Sequence, residues 1–323
     1  MRLLKKLSKK IIILSLNILI FIATIGFFAE QSNAVGIEFF QNILERGYIK
    51  VGIPPYETPP YYYFDTESNQ MEGIDIDIVR KFANNIGVEA VFDRNSKTYN
   101  GLLRRTGADE FDFTIGKLST FYKRMEDAHP HEYMSFRHAL LANRKVISKI
   151  QGQTPNEKFA PLLLNSKIRI GFIEDSSYGE FAHELFPNST KFGLKDWDDC
   201  KRALMENKVD AIYRDATEVK KIVYQEPNLS LDFVPILFDD KIDHISMYVS
   251  SKVNPEISSM LDYFITKEIG IKTDKEIMEE YDEFFQPSNL VVSKLKWTVT
   301  YRPRTKRNHR ERLSLSRVQL ETG

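Results

Sequence analysis

Tyr48-Ile-Lys-Val-Gly-Ile53 alternates apolar and polar residues and halts at Pro54-Pro55. Gly73-Ile-Asp-Ile-Asp77 then opens an apolar repeat at Ile74, Ile78, Val79, Phe82 and Ile86, which Gly87 closes. A period of two marks a strand, and a period near 3.6 marks a helix with one apolar stripe. With Val88 to Phe92 as the next strand, this stretch predicts a strand, helix, strand unit. Working outward, a helix is predicted around Tyr99 to Arg105 and a strand at Phe111 to Ile115. The pattern repeats later. Ile168 to Ile173 reads as a strand, Ser176 or Ser177 can cap a helix through Leu185, Trp197 to Glu206 is helical and Val209 to Tyr213 is a strand. Strands alternating with helices in both halves predict two α/β domains. His244 to Ser250 reads as a further strand and Pro255 to Phe285 as two helices. These late elements have no neighbouring sheet of their own in the sequence, so they are expected to return to the first domain.

The chain has 323 residues, which suits two domains of roughly 100 to 150 residues. With 42% hydrophobic and 28% charged residues it is globular in composition. The formal net charge is +0, but the charges are segregated. Residues 1–34 carry five bases and one acid, residues 286–323 carry nine bases and two acids, and residues 35–285 are left with 31 bases against 42 acids. An acidic body argues against nucleic acid as a partner. The basic tail, 286–323, reads as a solvated, poorly ordered segment.

Basic residues up to Lys10, an apolar run from Ile11 to Phe28, and Ser32 and Ala34 as small residues before Val35 form the order of a secretory signal peptide. The apolar run is also just long enough to span a bilayer, so an uncleaved anchor is the alternative. No Cys follows that run, which excludes a lipoprotein anchor, and Cys200 is the single cysteine, which forbids an internal disulfide or a thiolate metal cluster.

Six stretches in order resemble the bacterial extracellular solute-binding proteins, family 3, the amino-acid-binding proteins of ABC importers. They are Gly47-Tyr-Ile-Lys-Val-Gly52 as an opening strand, Pro60-Tyr61 as a loop, Gly73-Ile-Asp-Ile-Asp77, Tyr99-Asn-Gly-Leu-Leu103, Asp112 through Ser119 to Arg124, and Asn207-Lys-Val-Asp-Ala-Ile-Tyr-Arg-Asp215. The resemblance covers residues 43–285. It implies a two-lobed periplasmic-binding fold (type II) whose lobes are joined by two hinge strands, with 35–144 plus 244–285 as lobe one and 145–243 as lobe two. It also implies a monomer in the periplasm that captures an amino acid, or a related small carboxylate, and delivers it to ABC permease subunits, without enzymatic activity. A dehydratase of the same fold and a membrane-anchored sensor are the alternatives.

Carried over position by position, the resemblance implies that Arg124 grips a ligand carboxylate, for which a guanidinium offers two parallel donors. Ser119 and Ser177 add donors to the same group, the second where a helix begins. Asp215 accepts an ammonium or caps the following helix, or does both. Tyr99 and Tyr61, with Tyr56 as rival to Tyr61, present aromatic faces to the ligand's side chain. Lys117 departs from the pattern, because it replaces a small or hydroxyl residue and would repel an ammonium. Two outcomes are expected for it: it turns to solvent, or the ligand carries a second anionic group. Glu57 is a possible neutralising partner. His129-Pro-His131-Glu132 is a poor chelate without a third ligand, so no metal is expected. No cofactor is expected either, since no Gly-rich phosphate loop or hydrolase signature is present.

The leader generates one expectation of its own. Edman sequencing of exported protein should begin at or near Val35, and recovery of an intact Met1 from the membrane fraction would establish the anchored alternative.

Overall fold

The computed structural model describes residues 40–153, 159–250 and 255–287. The proposed leader and almost all of the basic tail lie outside these residues. Helix α1 covers residues 40–46. Strand β1 (Tyr48–Gly52) follows, then a short ribbon of β2 (Tyr63–Asp65) and β3 (Gln70–Glu72), helix α2 (Ile74–Asn85) and strand β4 (Glu89–Asp93). Helix α3 (Tyr99–Gly107), strand β5 (Phe113–Ser119), the single turn α4 (Tyr122–Met125) and the long strand β6 (Ala128–Asn143) come next. The second half contains α5 (Arg144–Gln153), α6 (Phe159–Leu164), β7 (Arg169–Ile173), α7 (Ser177–Leu185), β8 (Thr190–Leu194), α8 (Trp197–Met205), β9 (Ala211–Asp215) and α9 (Ala216–Gln225). A second long strand, β10 (Phe233–Ser250), leads to α10 (Pro255–Phe264), the two-residue β11 (Lys272–Thr273) and α11 (Asp274–Glu280).

The amphipathic periods translate directly into burial. Ile49 and Val51 of β1 and Ile74, Val79 and Phe82 of α2 are buried together, and Gly87 ends the turn after α2 at φ +76°. Helix entries are capped by local side chains: Thr98 accepts from Gly101 N, and Asp196 accepts from Asp199 N.

Among the described residues one sheet runs in the order β4-β1-β5-β10-β6-β9-β7-β8, with β11 beside β6. The flanks are parallel: β1 lies between β4 and β5, and β7 between β8 and β9. The centre is antiparallel, where β6 and β10 pair from Ala128 opposite Ser250 to Asn143 opposite Phe233. One end of this central pair belongs to a core with Val51, Ile76, Phe113, Phe136, Met247 and Phe264. The other end belongs to two cores that include Leu141, Ile212 and Phe233 on one side and Leu140, Ile170 and Phe238 on the other. The changeover falls between Phe136 and Ala139 on β6 and between Phe238 and Ile245 on β10, where the ladder register also shifts. The molecule is therefore two α/β lobes joined by two strands.

Leu261, Phe264 and Ile277 from the late helices share a core with Val51, Ile76 and Phe113. The strand predicted at His244 to Ser250 is only the second half of β10. The acidic run Asp239-Asp240-Lys241-Ile242-Asp243 hides the first half, because it interrupts the apolar alternation at the changeover.

β5 carries the unusual backbone. Gly116 has φ +142° and Lys117 has φ +55°, and a Cβ on Gly116 would lie 2.1 Å from Pro54 Cδ. Only glycine combines that conformation with so close an approach to the loop after β1. Gly116→Ala should lower stability by about 1–3 kcal/mol through overpacking alone, read as a lower urea midpoint at unchanged slope; an unaltered midpoint would show that the turn yields freely.

Candidate functional site

The two lobes face each other along the C-terminal ends of β5 and β9 and the N-terminal ends of α7 and α9. Arg124, Ser119, Ser177, Tyr99, Lys117 and Asp215, all singled out from the sequence, line one cavity of about 30 Å³ here. That volume holds about two waters. Tyr61 does not line it: the ring is fully buried, its hydroxyl donates to Thr217 Oγ1 at 2.9 Å, and the Lys117 ammonium lies over its face at 4.1 Å. Tyr56 instead stands beside Tyr99, with ring centroids 5.8 Å apart, on the wall of an outer cavity of about 480 Å³. The two cavities share Tyr99, Ile173 and Arg214 as walls.

Lys117 does not turn to solvent, the first of the two outcomes expected of it: its side chain is only 4% exposed. Its ammonium crosses to the second lobe, 3.0 Å from Asp215 Oδ2, 3.2 Å from Glu218 Oε1 and 3.1 Å from Thr217 Oγ1. Its charge is met by groups of the protein itself. Glu57 is not its partner and pairs with Arg94 at 3.4 Å. The left-handed backbone at Lys117 also turns its N–H toward Asp75 Oδ2, at 3.1 Å.

Asp215 both caps and pairs. Its Oδ1 accepts from the N–H groups of Thr217 and Glu218, starting α9, while its Oδ2 takes the lysine. Arg214 lies 3.8 Å from Asp215 and 4.0 Å from Glu218, with its guanidinium over the Trp197 ring. Lysine and arginine together hold the Asp215 and Glu218 carboxyls below their ordinary values despite the opposing cost of burial.

The end of the cavity around Arg124 is arranged differently. Arg124, on the turn after β5, is 3% exposed and donates from Nη1 to Ser119 O at 2.7 Å, while its buried Nε has no hydrogen-bond partner among the described residues. Asp243, on β10, is 1% exposed. Its Oδ2 accepts from Ser119 Oγ and Tyr178 OH, both at 2.8 Å, and its Oδ1 has no hydrogen-bond partner among the described residues. Ser177 Oγ completes the chain, donating to Ser119 Oγ at 2.6 Å. Burial lifts the Asp243 carboxyl to about 7, and it does the same to Asp75. Asp243, Glu218, Arg214 and Tyr178 were not singled out from the sequence. For Glu218 a signal existed, since it stands three residues after the Asp215 cap; Asp243 had none, being the last acid of a run that reads as solvated surface.

His131 and Glu132 do not converge. His131 Nδ1 lies 2.6 Å from Asp262, and Glu132 pairs with His244 at 2.8 Å. Among the described residues no cluster of metal-ligating side chains occurs, and no helix is long and apolar enough to cross a membrane.

The model of the bacterial extracellular solute-binding proteins, family 3, matches residues 49–286, which span both lobes and the cleft. The chain belongs to that family. Solved structures share the fold of this family 3 protein at low identity. An amino acid ABC transporter substrate-binding protein from Streptococcus pneumoniae bound to L-arginine is 20% identical with a TM-score of 0.59, over 76% of this chain and 97% of that one. An ancestral amino-acid-binding protein, a precursor of cyclohexadienyl dehydratase, is 16% identical with a TM-score of 0.58, over 76% and 99%. An arginine-bound mutant of ArgBP from T. maritima is 15% identical with a TM-score of 0.54, over 71% and 99%. These are type II periplasmic binding folds with a curled sheet, like that of the present family 3 chain. No curated protein matches it in sequence.

The buried carboxyls fix a pH dependence. Asp75 and Asp243 bind their protons up to about 7 in the folded chain but only to the ordinary carboxylate value when unfolded. Their contribution to stability is therefore full below about 3.9 and is lost as pH rises through about 7. Asp215 and Glu218, held low, contribute in the opposite sense, with stability lost as pH falls below their ordinary values. Asp243→Asn should gain on the wild type in melting temperature as pH rises from 5 to 8. Parallel curves for the two proteins across that range would contradict a buried proton on Asp243.

Proposed function

We propose that this family 3 protein is exported, released from its leader near Val35, and captures a small carboxylate-bearing solute between its lobes for delivery to an ABC importer. The observation that carries this reading is the convergence, in one cavity, of Arg124 and Ser119 from the first lobe with Ser177 from the second, next to a guanidinium N–H that has no partner among the described residues. A buried donor without a partner carries the desolvation penalty of its missing bond, and a carboxylate oxygen would relieve it. Groups from both lobes reach such an anion together only when the cleft is shut, so binding shifts the population toward closure.

Likeness to arginine-bound proteins supports a binding role. The dehydratase reading draws on one ancestral neighbour by name. Capture without chemistry is favoured by the charges of the cleft, since Lys117, Asp215, Glu218 and Arg214 are already engaged with one another. We place Arg124, Ser119, Ser177 and Tyr99 in the ligand site, with Tyr61, Lys117 and Asp215 forming its wall and floor, and we take the working unit to be a monomer.

Denaturing the purified protein and weighing the released small molecules should return a carboxylate, and incubation with fresh protein should leave its mass unchanged. Calorimetry with that molecule should show Arg124→Ala weaker by about 2–5 kcal/mol, the cost of leaving one partner of a buried charge pair alone. Equal affinity in the two proteins would remove Arg124 from the site, and a changed mass would make the protein an enzyme.

A further inference from the structure

Lys117 is held as a bound ammonium ion would be held. A primary ammonium has three N–H donors, and three oxygens surround this one at 3.0 Å (Asp215), 3.1 Å (Thr217) and 3.2 Å (Glu218). The rings of Tyr61 and Phe136 lie beneath it, with centroids 4.1 and 5.1 Å from Nζ, where their negative faces attract a cation. All three oxygens belong to α9 and the residue before it, in the second lobe, whereas the lysine and both rings belong to the first. The cage is thus assembled from both sides of the cleft, and the chain itself supplies the cation.

The charges in this cage are complete. Lys117 and Arg214 lie within 4.0 Å of Asp215 or Glu218, two cations against two anions in contact, and Lys221 adds a further positive charge that acts on Glu218. A second ammonium brought to the cage would find Asp215, Thr217 and Glu218 already engaged by Lys117 and two buried cations beside it. The opposite end remains unfinished, because Arg124 Nε and Asp243 Oδ1 both lack hydrogen-bond partners among the described residues. An anion can accept from the first, and the second, with its carboxyl lifted to about 7, can offer an O–H to the same anion in the acidic half of the neutral range. From there the shared walls Tyr99, Ile173 and Arg214 lead to the outer cavity, where Tyr56 and Trp197 give an aromatic lining for the body of a solute.

We propose, on the reading that a solute binds in this cleft, that Lys117 is a tethered replacement for a ligand's ammonium and sets the specificity of the cleft: it admits carboxylates that carry no ammonium, such as 2-oxo acids, and excludes α-amino acids. Two consequences follow. The lysine bridges the lobes with no solute present, and removing it vacates a site shaped for a small alkylammonium.

The test uses matched pairs that share a carbon skeleton, pyruvate with alanine and phenylpyruvate with phenylalanine. Calorimetry would be run on the wild type, on Lys117→Ala and on the double variant Lys117→Ala with Glu218→Gln, which keeps the cage neutral if the single variant does not fold. The wild type should bind at least one 2-oxo acid tenfold or more tightly than its amino acid; Lys117→Ala should reverse that order, and the double variant, whose cage is neutral again but whose ammonium position is open, should lose the tenfold preference. In parallel, methylammonium chloride should raise the melting temperature of Lys117→Ala above that in sodium chloride of equal ionic strength, and should leave the wild type unmoved. Amino-acid binding by the wild type as tight as by the variants overturns the role of Lys117 while leaving the cleft as a solute site. If no member of either pair binds any of the three proteins, and methylammonium has no effect, the cleft itself is not the site and both readings fall.

Discussion

The cleft is organised around a buried ion cluster in which Lys117 of one lobe meets Asp215 and Glu218 of the other. Each of these ions loses several kcal/mol of hydration on burial, which their mutual attraction offsets only with good geometry and further hydrogen bonds. The further bonds are present: Thr217 and the first N–H groups of α9 serve Asp215, and Arg214 approaches both carboxyls. Such a cluster adds little net stability compared with apolar packing, but it penalises any arrangement that leaves one member alone. Its effect is to favour one relative placement of the lobes.

That placement depends in turn on backbone geometry at a single point. Gly116 at φ +142° lets β5 pass against Pro54, and Lys117 at φ +55° sends its N–H to Asp75 and its side chain across the cleft. A side chain in regular alternation on β5 would not combine these two directions. Asp75 is itself fixed by the Tyr133 hydroxyl at 2.9 Å, so the first helix of the strand, helix, strand unit and the hinge strand β6 both hold the lysine's backbone. Sheet, loop and site are mechanically one piece here.

The long strands β6 and β10 link the lobes and also furnish the site. β10 delivers Asp243 at the level where the cores change over, and the neighbouring register shifts free it from a regular outward position. The same carboxyl receives Ser119 from one lobe and Tyr178 from the other, so the Arg124 end of the cavity and the hinge share an atom, Asp243 Oδ2. Changes in that carboxyl's charge therefore act where the lobes articulate.

The sequence by itself determined the two α/β units, because periods of two and 3.6 record which face of each element is buried, as Ile49, Val51, Ile74 and Phe82 show. Through its resemblance to family 3 it also marked Arg124, Ser119, Ser177, Tyr99 and Asp215, which line one cavity. It could not assign the partners of Lys117. Charge and spacing along a chain do not measure the distance between groups 101 positions apart, and whether a lysine is solvated or paired depends on how two lobes close on it. Nor could it find Asp243, which differs from the exposed Asp239 and Asp240 of the same run only in where β10 crosses between the cores. Tertiary structure alone decided that an ammonium already sits in the cleft, because only packing converts a sequence of charges into a set of contacts.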